Sequence, residues 1–71
     1  MKNEKLIQKL KKEQDELEKK LFKLNSFIMK QQDSQTISDH HLNLLKGQSH
    51  AMCEYSEILG MRINDLEEHQ G

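Results

Sequence analysis

The 71 residues contain no proline and no tryptophan, and the aromatics amount to two Phe and one Tyr. Without proline or large aromatics, and with only three glycines, the chain lacks the turn residues and core fillers of a β-sandwich, a barrel or an α/β enzyme domain. The one cysteine, Cys53, cannot form an internal disulfide. No apolar run approaches a signal-peptide core or the roughly 18 residues of a membrane span. These absences favour a soluble protein of a reducing compartment, and the cytoplasm is the expected setting. Net charge is also scarce: 11 Lys and Arg face 12 Asp and Glu, a formal balance of -1, so there is no general attraction for nucleic acid or anionic lipid.

What is present is the composition of long helix: 32% charged, 34% hydrophobic. At about half the length of a typical domain, such a chain buries little core by itself and is expected to form a homo-oligomer. Charge is divided along it. Residues 1–30 hold nine Lys against five acids, and residues 31–71 hold two bases against seven acids. Halves of opposite sign favour an antiparallel hairpin.

In the first half, Ile7, Leu10, Gln14, Leu17, Leu21, Leu24, Ile28 and Gln31 follow one another at alternating steps of three and four. This is a heptad seam, flanked by Leu6 and Phe27, with one polar interruption at Gln14. It predicts helix 1 over about 3–32. Asp33, Ser34, Gln35 and Thr36 lack that periodicity and compete for backbone hydrogen bonds, which places the turn at 33–37. Ser38 has the position of an N-cap, and Ile37 with Leu42 has the spacing of a hydrophobic staple, so helix 2 is expected over about 38–68. Gly47 and Gly60 each weaken this helix by about 1 kcal/mol relative to Ala, which implies a close approach or a bend at one of them. The expected fold is all-α: residues 1–71 as a single two-helix, coiled-coil-like hairpin that assembles with copies of itself.

Helix 2 carries an apolar column at seven-residue spacing, Leu45, Met52, Leu59 and Leu66, beside a polar one, His41, Gln48, Tyr55 and Arg62. Leu44, Ala51 and Ile58 lie on one side of the apolar column, and Leu42 and Ile63 on the other. The polar column is therefore expected to be partly buried or to line a cleft. Two accounts fit it. Buried polar residues set register and oligomer state in coiled coils. Alternatively, Tyr55 offers a ring face for a base, Arg62 a two-pronged donor for phosphate, and Gln48 an amide for a base edge, the groups a nucleotide ligand needs. His41, Lys20 and Lys23 are lesser candidates for the same site, since most lysines on such a helix simply keep it solvated.

His50 and Cys53 stand one helical turn apart, but no four-ligand zinc spacing accompanies them, and no metal or other cofactor is expected. Glycine-rich phosphate loops, nucleophile elbows and paired catalytic signatures are missing as well, so the chain is not expected to be an enzyme. Direct nucleic-acid binding is disfavoured by the acidic second helix and the lack of a recognition-helix motif.

The set Glu13, Glu16-Leu17, Lys20, Lys23-Leu24 and Phe27-Ile28, followed by Leu44-Leu45, Gln48, Met52, Tyr55, Ile58-Leu59 and Arg62-Ile63, resembles the crAss-phage-related small helical-hairpin proteins of phages and prophages. The resemblance spans roughly residues 9–63, and departs from the pattern at Lys9, Gly47 and Cys53. It implies a phage-derived accessory protein. Small helical phage proteins that sequester cyclic nucleotide or ADP-ribose-type immune messengers are the nearest functional analogy. Three classes of function follow: a messenger-binding sponge, an inhibitor or adaptor that binds a host protein, and a structural phage coiled coil.

Overall fold

The computed structural model describes residues 3–69, which form two helices of 30 residues each: α1, Glu4–Asp33, and α2, Asp39–Glu68. They pack against each other as a hairpin 52 Å long and 15 by 13 Å across. The pairing is antiparallel, because cross-links step in opposite senses along the two helices. The Lys11 Nζ pairs with Glu67 at 3.1 Å near the open end; Ser56 Oγ donates to Glu18 Oε1 at 3.2 Å; and nearer the turn Ser49 Oγ donates to Asn25 Oδ1. A step of seven up α1, from Glu18 to Asn25, is thus matched by a step of seven down α2, from Ser56 to Ser49.

The turn is held by Gln31, whose buried side chain closes the α1 seam. Its Oε1 accepts the backbone N–H groups of Thr36 at 2.7 Å and Ile37 at 3.3 Å, and its Nε2 donates to Thr36 Oγ1 at 2.9 Å. One glutamine thereby satisfies two amides just outside either helix, where no backbone partner is in reach. Ser38 acts as the predicted cap, its Oγ accepting the His41 N–H at 3.1 Å. Ile37, before it, is half-buried and Leu42 is buried.

The core is a single layer between the helices: Ile7, Leu10 and Leu17 from α1 with Leu59 and Ile63 from α2, and Met52 and Leu66 packed on its edge. Leu59, at 0% exposure, is its centre. Nearby, Gln14 turns its amide across the interface and donates to the Ser56 carbonyl at 3.0 Å. A Cβ on Gly60 would sit 3.2 Å from that amide nitrogen, whereas one on Gly47 would meet nothing within 4 Å. The close approach is therefore at Gly60, and what it makes room for is the Gln14 side chain.

Leu42 and Ile63 are both buried. The seam that α2 presents to α1 is Leu42, Leu45, Ser49, Met52, Ser56, Leu59, Ile63 and Leu66, again at alternating steps of three and four. Two of its positions are serines, each bonded to a polar residue of α1. Leu6, Phe22 and Phe27 do remain exposed.

Candidate functional site

The polar column follows from that seam. His41, Gln48, Tyr55 and Arg62 each stand one residue before Leu42, Ser49, Ser56 and Ile63, so they rise along one margin of the helix interface. Within one chain all four are exposed, where their pattern suggested partial burial or the lining of a cleft. The reason is the pair of seam serines: turning the half-buried Ser49 and the buried Ser56 toward Asn25 and Glu18 orients α2 so that its polar column faces outward.

The column is also little engaged. Gln48 Nε2 reaches only the Met52 sulfur, at 3.9 Å, and the His41 contribution to the N-cap is its backbone N–H. Neither the Tyr55 hydroxyl nor the Arg62 guanidinium makes a hydrogen bond or ion pair with another described residue. Continuing the register of Glu18 with Ser56 to this margin sets Lys20 level with Tyr55 and Glu13 level with Arg62, with no ion pair joining Glu13 to Arg62. The structure thus brings Lys20 to the flank of the column. Lys23 lies elsewhere: it borders a shallow depression on the outer side of α1 with Asp15, Glu18, Lys19 and Phe22. Among the described residues no group of three or more His, Cys, Asp or Glu is disposed to hold a metal ion. No described helix is long and apolar enough to cross a membrane.

The level of Glu13 with Arg62, and the serines that set the column's orientation, escape a reading based on apolar columns alone. The available signal was Ser49 and Ser56 themselves, which continue the Leu42 and Ile63 column at seven-residue spacing.

Two 30-residue helices sealed against each other by a thin apolar layer, with an exposed polar column along one margin, make a small helical-hairpin protein. The family model described as Sequestin matches residues 4–65, a span that takes in both helices, the turn and the whole column, and the chain belongs to the Sequestin family. The family's name denotes sequestration, in keeping with a small phage protein of the sequestering type; a relation to crAss-phage is no part of the match. No curated protein and no solved structure matches the chain.

Proposed function

We propose that this chain is a phage-encoded, non-enzymatic accessory protein that binds a cyclic nucleotide or ADP-ribose-type immune messenger in the host cytoplasm and withholds it from its receptor, acting as a homo-oligomer. The observation that carries this reading is the ladder of Gln48, Tyr55 and Arg62 at seven-residue intervals, with Tyr55 and Arg62 uncommitted among the described residues. Membership in a family named for sequestration supports it. Arg62 would take phosphate through a charge-assisted fork, Tyr55 would stack on a base, and Gln48 would read a base edge. Lys20, level with Tyr55, and His41 would add donors at the margins, and Lys23 a more distant positive charge. Sequestration asks for no general base and no bound metal; it asks only that the complex outlast the signal.

A thermal-shift screen of the intact protein against cyclic dinucleotides, cyclic trinucleotides and cyclic ADP-ribose isomers tests this. A bound ligand at 100 times its Kd raises stability by about 2.7 kcal/mol. Arg62→Ala and Tyr55→Ala should each weaken binding roughly tenfold or more, since a stacked base contributes about 1–3 kcal/mol, with helicity unchanged because both side chains are exposed. The ligand recovered after heat denaturation should be intact. No stabilisation by any of these nucleotides would sink the reading, and release of a cleaved nucleotide would replace sequestration with catalysis.

A further inference from the structure

α2 bears a second heptad seam besides the one spent on α1. Leu44, Gln48, Ala51, Tyr55, Ile58 and Arg62 again alternate steps of four and three, and this stripe is uncovered: Leu44 is 56%, Tyr55 44% and Ile58 54% exposed. On the same margin α1 contributes Leu6 and Phe27, both exposed. The molecule as a whole is short of burial. Its accessible surface is 5650 Å², whereas a compact monomer of 8.4 kDa exposes about 4600 Å². The excess of about 1000 Å² is comparable to the roughly 800 Å² that each partner contributes to a stable interface of ordinary size. The radius of gyration, 16.1 Å against about 11 Å for a compact chain of this length, tells the same story.

We propose that this second seam is where two copies of the chain associate, α2 against α2, antiparallel about a two-fold axis level with residue 53. The stripe is self-complementary in that sense. Ala51 falls opposite the partner's Tyr55, a small residue facing the largest ring; Gln48 falls opposite the partner's Ile58; and Leu44 falls opposite the partner's Arg62, whose aliphatic stem can lie over it. The same register sets Asp65 opposite the partner's His41. A parallel pairing would instead stack each Arg62 on its equivalent, a like-charge contact that antiparallel pairing removes to about 27 Å, eighteen residues of helix rise.

This deepens the messenger-binding reading and rests on it for one consequence. Arg62 of each copy comes to lie between the partner's His41 and the partner's Gln48, one helical turn to either side of Leu44. The site is then built twice, once at each end of the interface, from residues that one chain holds far apart, with the two Tyr55 rings between them.

Sedimentation without nucleotide tests the surface, with two substitutions at exposed apolar positions of α2 for contrast. Wild type and Met61→Glu, which lies off the seam, should sediment at twice the chain mass or a multiple of it, while Ile58→Glu should fall to the chain mass with its helicity intact. In a Cys53→Ser background, spin labels at Arg62→Cys should report an intermolecular separation of about 27 Å. A monomeric wild type at tens of micromolar, an Ile58→Glu variant that still associates, or labels in close contact would each overturn the proposal. Association with no nucleotide bound in the thermal-shift screen would sustain the interface and overturn the messenger reading. A monomer that binds nucleotide would do the reverse.

Discussion

Replacing the two helical glycines by alanine should give opposite lessons, although helix propensity alone assigns both the same gain of about 1 kcal/mol. At Gly47 the new methyl group meets nothing within 4 Å, so Gly47→Ala should realise that gain and raise Tm by about 4–8 °C for a domain of this size. At Gly60 the methyl group would press on the Gln14 amide nitrogen at 3.2 Å, and that nitrogen is the donor to the Ser56 carbonyl. Displacing it forfeits a hydrogen bond worth about 1 kcal/mol net, and up to about 3 kcal/mol if the half-buried amide finds no other partner. Gly60→Ala should therefore be neutral to destabilising by about 2 kcal/mol. Introducing Gly60→Ala into a Gln14→Ala background removes the conflict, and there the full helical gain should return, a coupling readable as a double-mutant cycle. Urea unfolding followed by far-ultraviolet circular dichroism suits the measurement, at one fixed chain concentration because association would shift the midpoint. A Gly60→Ala variant as stabilised as Gly47→Ala would refute the claim that the glycine exists to admit Gln14.

Leu59→Ala should cost about 2–5 kcal/mol, enough to unfold much of a chain whose core is one layer thick, and thermal melting would show it. Gln31→Ala should cost about 1–3 kcal/mol by orphaning the Thr36 and Ile37 amides, with the loss of exchange protection concentrated at residues 36 and 37 rather than at Leu59.

The α1 seam could be read in full from its spacing, because six of its eight positions are apolar and the other two are the glutamines Gln14 and Gln31, and the turn announced itself through Ser38 and the residues before it. α2 was legible only in part. Its column of Leu45, Met52, Leu59 and Leu66 is apolar throughout and does face α1, but the companion column is half serine, and a serine at a seam position looks like solvent-facing helix until its partner is known. Asn25 and Glu18, far away in sequence, supply those partners. The orientation of the His41, Gln48, Tyr55 and Arg62 column depended on that long-range pairing. Its residue types were visible; which way they point was not.

The Gln31 clamp has a consequence for how the chain folds. The bonds between the helices join residues at similar distances from the turn, so once Gln31 has gathered Thr36 and Ile37, the adjoining ends of the helices are brought together by a short loop, and each further pair adds only a few residues to a loop already closed. The hairpin can zip from its bend towards its ends, with none of the long-range search that slows β-sheet proteins. Lys11 and Glu67, which join near the open end, close last and part first.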